Sequence, residues 1–308
     1  ADFLAGKNQF SRNGATGQIV NQGQIKVAEG GSVALLSPQV SNAGVIVAQK
    51  GDVVLAGGDK VTLTAGANGH LQVAVDAATL DSLIENKQLI QADGGQVIMT
   101  SAAASALWSN VVRNSGTIEA RTLGELQGKV QLQADGPNAE VQIGGLIEVS
   151  SLAGDTQTDA GAVAVQAAKV THAGTINASS QSGKGGRVTV LGDQITLDAN
   201  SQINADGALG GGQVQIGGHQ QAQVGEQQAS RITLAETASI TADATDNGNG
   251  GRISVIADLS NHASHTEIKG NISAQGGKQG GNGGFIETSA AILGVTQTAR
   301  IRTGASKG

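Results

Sequence analysis

Apolar and polar residues alternate along this chain in a short phrase that recurs ten times. Each copy has an isoleucine, one intervening residue and then a small residue, which is alanine in seven copies, and the intervening residue is polar in nine. Alternation with a period of two is typical of a strand that is buried on one face. The ten isoleucines are Ile25, Ile46, Ile90, Ile118, Ile147, Ile176, Ile203, Ile240, Ile272 and Ile301.

A second phrase follows each of the first nine copies. It consists of a glycine, a β-branched residue two positions later and usually an apolar residue two positions after that. The glycine predicts a turn and the β-branched residue predicts a second strand. The β-branched residues are Val33, Val53, Val97, Val130, Val163, Val188, Val214, Ile253 and Ile286. A third, looser strand is predicted in several copies, at residues 61–63, 195–197 and 232–234.

The spacing of the isoleucines predicts the fold class. Most copies are 27 to 32 residues apart, and a unit of that length with three short strands is one coil of a solenoid. Coils that stack in register pair their strands in parallel, whereas a sandwich would need antiparallel hairpins with no such repeat. The sequence therefore predicts an all-β, single-stranded parallel β-helix of about ten coils.

The longer gaps between isoleucines indicate departures from the regular coil. The gap from Ile46 to Ile90 predicts a hairpin and a short helix over 76–86, where Leu80, Leu83 and Ile84 have helical spacing. A second short helix is predicted over 101–110. The gap after Ile203 contains a polar excursion at 219–228, predicted to be a loop.

An asparagine stands two residues before a glycine ahead of several first phrases. The residues are Asn21, Asn42 and Asn114, and Asn86 occupies the matching place with Gln88 instead of glycine. Asparagine suits turns, and stacked side-chain amides can bond to each other from coil to coil. An exposed amide row that binds sugar is the alternative, and we favour the structural role.

Composition excludes several classes of function. The chain has 308 residues, 47 glycines, 1% aromatic residues, no cysteine and a net charge of −6. Without cysteine there is neither a disulfide nor a thiolate metal site. The basic residues are scattered rather than clustered, which argues against nucleic-acid binding. No apolar run is long enough for a membrane span.

Candidate chemistry is sparse, and we predict no catalytic residue, cofactor or metal. His262 and His265 lie in a polar segment that could hold a metal, but the segment is more typical of a solvated loop. Glu119 and Glu148 are the intervening residues of consecutive first phrases and would project outward on neighbouring coils. A polysaccharide lyase or hydrolase needs such a carboxylate pair, but a solvated face is the simpler interpretation.

The amino-terminal part of the chain resembles the secretion domain of two-partner-secreted exoproteins. This is the filamentous haemagglutinin and high-molecular-weight adhesin family of Gram-negative bacteria. The later glycine-rich coils, including 281–287, look like the β-helical shaft that follows that domain. The segments that carry the first resemblance are 2–6, 17–23, 30–44, 56–61 and 91–97.

The resemblance implies a right-handed β-helix exported through an outer-membrane transporter to the cell surface or medium. Residues 1–125 would be the secretion-domain-like part and 126–308 the shaft, in one continuous solenoid. The family's Asn-Pro-Asn-Gly-Ile motif is expected upstream of Asp2, so transporter contacts would lie in a segment that precedes this chain. We also expect the solenoid to continue beyond residue 308.

The function implied is that of a non-enzymatic, rigid adhesive shaft, in adhesion, aggregation or a biofilm matrix. Its ligand would be a host surface or an exopolysaccharide. Two alternatives stay open: a carbohydrate-active β-helix enzyme, and the secretion segment of a haemolysin or contact-dependent toxin.

Overall fold

The computed structural model describes residues 8–66, 69–152, 154, 156–219 and 227–305. These residues form 32 strands, numbered β1 to β32 in chain order, and no helix. Three parallel sheets of ten, ten and nine strands contain all but three of the strands. The other three form a small antiparallel sheet on the flank.

The first phrase forms the sheet that we call the isoleucine sheet. Its ten isoleucines are paired in register from one strand to the next, and the eight in the interior are at most 1% exposed. The predicted inward ladder is therefore confirmed. The strands are β3 (Gln24–Lys26), β6 (Val45–Val47), β11 (Leu89–Gln91), β14 (Thr117–Glu119), β17 (Leu146–Glu148), β20 (Thr175–Asn177), β23 (Gln202–Asn204), β26 (Ser239–Thr241), β29 (Asn271–Ser273) and β32 (Arg300–Arg302).

The second phrase forms the valine sheet, in which the nine β-branched residues are also in register. The turn before it needs glycine because successive turns nearly touch. A Cβ on Gly51 would lie 1.9 Å from the carbonyl oxygen of Gly31. The strands are β4 (Val33–Leu36), β7 (Asp52–Gly57), β12 (Gln96–Ala102), β15 (Lys129–Asp135), β18 (Ala162–Gln166), β21 (Arg187–Leu191), β24 (Gln213–Ile216), β27 (Arg252–Ile256) and β30 (Phe285–Ser289).

The third sheet, which we call the asparagine sheet, begins each coil. It contains the predicted strands at 195–197 and 232–234. Its strands are β2 (Gln18–Asn21), β5 (Gln39–Asn42), β10 (Ser82–Asn86), β13 (Asn110–Asn114), β16 (Ala139–Ile143), β19 (Lys169–His172), β22 (Gln194–Leu197), β25 (Arg231–Leu234), β28 (His265–Ile268) and β31 (Ile292–Val295).

The three sheets wrap around one core and form a right-handed parallel β-helix, as predicted. Each strand reaches the next strand of its own sheet through a crossover that contains one strand of each other sheet, and such crossovers are right-handed. A single cluster of buried Val, Ile, Leu and Ala runs from Val33 to Ala274. This continuous stack of aliphatic side chains explains how the chain folds with almost no aromatic residues.

The predicted hairpin is present on the flank of the solenoid. It consists of β8 (Lys60–Ala65) and β9 (Leu71–Asp76), and β1 (Gln9–Ser11) pairs with β8. We call these three strands the side sheet. It covers apolar side chains on the outer face of the valine sheet, where Val54 and Ile98 join a second buried cluster. Residues 61–63 therefore belong to this insertion, and their prediction as a strand of the coil is wrong.

Both predicted helices are wrong. Within 76–86, β10 pairs in parallel with β5 on one side and β13 on the other, and Ile84 faces the core. The hydrogen bonds of two neighbouring coils outweigh the local helical spacing. Within 101–110, β12 continues to Ala102 opposite β15, and a turn then leads to Asn110 at the start of β13. In the polar excursion, 220–226 lie outside the described residues.

Candidate functional site

The two glutamates singled out in the sequence lie side by side on the outer face of the isoleucine sheet. β14 and β17 pair in register, which places Glu119 directly opposite Glu148. Both side chains point away from the core because they follow inward isoleucines. The structure therefore brings this pair together on neighbouring coils, as the repeat predicted.

Each glutamate is held by an amide donor from a neighbouring coil, and Glu119 also by an arginine of its own coil. Glu119 Oε2 accepts hydrogen bonds from Gln91 Nε2 and Arg121 Nη2, both at 3.0 Å. Glu148 accepts two from Asn177 Nδ2, at 2.9 and 3.1 Å. The carboxylates thus belong to a side-chain network that runs along the rod.

Arg121 is the member of this site that the sequence analysis missed. Its guanidinium and backbone N–H donate to the buried Asp93, with Nη2 2.7 Å from Oδ2 and Nε 2.9 Å from Oδ1. Burial alone would raise the pKa of Asp93, but the hydrogen bonds from Arg121 outweigh it and hold that pKa below its ordinary value. Arg121 lies two residues after Glu119 and is not an intervening residue of the first phrase. The sequence analysis considered only those intervening residues as outward positions, so it did not find Arg121.

A shallow groove of about 340 Å³ lies over these residues, bounded by Glu119, Arg121, Glu148, Asn177 and Gln181. Its lining is polar and its base is an open sheet face. In a glycosidase, the general acid lies in an environment that raises its pKa, typically an apolar pocket, so that the carboxyl group stays protonated. Here both carboxylates accept hydrogen bonds from amide or guanidinium groups, an arrangement that fits binding of a hydroxyl-rich chain better than general acid catalysis.

The asparagine row lies inside the solenoid. Asn42, Asn86 and Asn114 are 0% exposed, and each amide donates to the next: Asn21 to Asn42 at 2.7 Å, Asn42 to Asn86 at 2.8 Å, and Asn86 to Asn114 at 2.9 Å. The predicted amide ladder is present, and the alternative of an exposed sugar-binding row is wrong. The ladder ends after Asn114, because the next position in register is Ile143.

A histidine occupies the same inward column one coil further on. His172 is 2% exposed and lies between Ile143 and Leu197 in register. Its Nε2 is 3.1 Å from the carbonyl oxygen of Gln202, and burial lowers the pKa of His172. The sequence analysis did not single out this histidine, although it stands at the end of β19, two residues after the inward Val170.

His262 and His265 lie apart from any cluster of ligands. His262 belongs to a turn closed by a hydrogen bond from the backbone N–H of Ser264 to the carbonyl oxygen of Asn261, and His265 begins β28 opposite Arg231. The described residues contain no group of three or more His, Cys, Asp or Glu side chains placed to hold a metal ion.

The side sheet is fixed to the solenoid by buried polar contacts. Asp52, 2% exposed, lies 2.7 Å from His70 Nδ1 and accepts a hydrogen bond from the backbone N–H of Leu71 at 2.6 Å. Gln96 Nε2 donates to the carbonyl oxygen of Leu71 at 2.6 Å. At the other end, Arg12 Nε donates to Asp59 at 2.8 Å. The side sheet is therefore a fixed part of the first coils.

Comparison with known proteins agrees with the fold. The structure is similar to the crystal structure of the HMW1 secretion domain from Haemophilus influenzae, with a TM-score of 0.67 and 25% sequence identity. The alignment covers 100% of this chain and 71% of that one. No protein family model matches the sequence, and no curated protein matches it significantly. No helix among the described residues is long and apolar enough to cross a membrane. The similarity supports a two-partner secretion domain.

Proposed function

We propose that this chain is the secretion domain and first shaft coils of an extracellular adhesin exported by two-partner secretion. The observation that supports it most strongly is the similarity to a secretion domain over the whole chain. The partner in export is an outer-membrane transporter. The adhesive partner is a host surface or an exopolysaccharide.

The architecture suits export in an unfolded state. Each coil of a solenoid contacts mainly its neighbours, so folding can start at one end and add one coil at a time. The chain has no cysteine, so it needs no oxidant to complete its fold outside the cell. A strand that emerges from a transporter finds its template in the coil that has already folded.

Two features support a division near residue 125. The side sheet and the asparagine ladder both lie in the coils before that point, whereas aliphatic residues and His172 occupy the ladder column afterwards. We therefore assign 1–125 to the secretion-domain-like part and 126–308 to the shaft. The shaft is rigid because its three sheets continue without interruption.

The export proposal is tested with the full-length parent protein in its source bacterium. Inactivation of the partner transporter should abolish the appearance of this region in the medium and on the cell surface, and a plasmid copy of the transporter should restore it. Immunoblots with an antibody raised against this chain would measure both. Export that is unchanged without any such transporter would refute the proposal.

The feature that motivates a second candidate, a carbohydrate-active enzyme, is the pair of neighbouring carboxylates Glu119 and Glu148, although their hydrogen bonds fit glycan binding better than general acid catalysis. This candidate is tested by incubation of the purified chain with exopolysaccharides, with new reducing ends or unsaturated sugars as the readout. If the chain shows turnover and the Glu119→Gln, Glu148→Gln double variant does not, the proposal of an adhesive shaft would have to give way to that of an enzyme.

A further inference from the structure

A larger groove lies on a different face, over the outer surface of the valine sheet. Its volume is about 500 Å³. Thr189, Gln215 and Ser254 form its floor, and they stack in register on β21, β24 and β27. The floor therefore presents hydroxyl and amide groups in a line parallel to the rod axis.

One rim of the groove is cationic. Arg187 and Arg252 occupy one register column on alternate strands, with Gln213 between them. Strands in a sheet are spaced by about 4.8 Å, which places the two arginine backbones about 10 Å apart. Arg187 is exposed and makes no ion pair within the described part of the chain.

An aromatic ring extends the same column. Phe285 is 48% exposed and lies next to Arg252 in register. The Arg252 guanidinium stands 4.3 Å from the ring centroid, and its Nη2 is 4.0 Å from Glu287 Oε2. Stacking fixes the direction of the guanidinium while its side chain remains 59% exposed. It is therefore oriented in advance for a ligand.

The opposite side of the groove contains one apolar residue and one histidine. It is formed by Ile256 and by His219, whose Nδ1 lies 3.1 Å from Gln215 Nε2. Two arginines and one glutamate, Glu287, give the lining a positive balance in a protein of net charge −6.

From these observations we infer that the groove binds a linear acidic polysaccharide whose sugars carry carboxylates. Guanidinium groups pair with planar carboxylates through two parallel hydrogen bonds. The amides and hydroxyls of the floor can donate to and accept from sugar hydroxyls. Nucleic-acid binding depends on many phosphate contacts and needs a longer cationic track than two arginines. An extended acidic glycan matches the paired donors of the two guanidinium groups and the direction of the groove.

This inference concerns ligand binding rather than export, and it does not depend on the secretion route. The probe is a polygalacturonate oligomer, with a neutral glucan oligomer of equal length as comparator, and binding to the purified chain is measured by calorimetry. Polygalacturonate should bind and the glucan should bind at least tenfold more weakly. Higher salt should weaken the binding, because the rim charges are exposed.

Two variants and a matched control locate the site. Arg187→Ala and Arg252→Ala should each weaken polygalacturonate binding by about three- to tenfold, as expected for a partly exposed charged hydrogen bond. Arg231→Ala removes the same charge from an exposed position of the asparagine sheet and should leave binding unchanged. Arg252→Lys keeps the charge but loses the paired donors, so it should weaken binding nearly as much as the alanine variant.

Three results would overturn the inference. The first is full binding by the Arg187→Ala, Arg252→Ala double variant with an unchanged circular dichroism spectrum. The second is an equal loss in the Arg231→Ala control, which would indicate attraction by overall charge. The third is equal affinity for single-stranded DNA, which would indicate a general polyanion surface. None of these results would bear on export, which is measured separately in cells.

Discussion

The asparagine ladder offers a sharp test of how this solenoid is held together. Asn86 lies in the middle of the ladder: its amide accepts from Asn42 and donates to Asn114. Asn114 lies at the end, followed in register by Ile143. Leucine at either position would bury the same apolar side chain in the same column. The two variants therefore differ mainly in the hydrogen bonds that they break.

The structure predicts which variant costs more. Asn86→Leu breaks two ladder bonds and leaves the Asn114 side-chain oxygen without a donor among the described residues. Asn114→Leu breaks one ladder bond and the bond from Asn114 Nδ2 to the carbonyl oxygen of Leu146. The Asn86 amide then keeps the carbonyl oxygens of Gln88 and Thr117 as acceptors, at 3.1 and 3.2 Å. A buried polar group left unpaired costs about 1–3 kcal/mol. Asn86→Leu should therefore be less stable than Asn114→Leu by about 1–3 kcal/mol.

Urea unfolding followed by circular dichroism measures the difference in the free energy of unfolding. Because a solenoid can unfold in stages, hydrogen exchange of β10 and β13 should be compared in both variants. Faster exchange in Asn86→Leu is expected in both strands. Equal stability, or a larger loss in Asn114→Leu, would show that the amide ladder does not act as a cooperative network.

Three further predictions concern buried groups. Ile203→Asp places an unpaired charge among aliphatic side chains and should lower the free energy of unfolding by several kcal/mol. Gln202→Asp, at an exposed position of the same strand, should change the free energy of unfolding little. Equal melting temperatures of the two variants would refute the assignment of Ile203 to the inward column. His172 has a lowered pKa in the folded state, so only the unfolded state gains its proton as pH falls below about 6.5. The stability of the unchanged protein should be constant above that pH and decline below it. Thermal melts of His172→Leu should show a smaller decline. An identical pH dependence of the melting temperature in the two proteins would contradict the argument that burial lowers the pKa of His172. Burial, and secondarily the charge of Asp243, raises the pKa of Asp206, which makes its ionised form destabilising above the unfolded pKa. Asp206→Asn should therefore raise the melting temperature at pH 7 and lose that advantage as pH falls through the raised folded pKa toward the unfolded value of about 3.8. A lower melting temperature of the variant at pH 7 would refute this prediction.

The errors of the sequence analysis have a common cause. Leu80, Leu83 and Ile84 have helical spacing, but β10 is a strand because β5 and β13 supply hydrogen bonds on both sides. Local spacing cannot report partners that lie 28 or 44 residues away. Likewise, the pairing of Arg121 with Asp93 joins residues of neighbouring coils that belong to no repeated phrase.

The sequence by itself determined the repeat, the inward isoleucine and valine columns and the parallel stack of coils. These follow from alternation within a strand and from the same alternation one coil later, both of which are visible along the chain. Only the tertiary structure decided that the asparagine column faces inward and that 61–63 leaves the coil for the side sheet. Those outcomes depend on the geometry of the corners and on contacts between coils, where side chains without a fixed spacing in the sequence become neighbours.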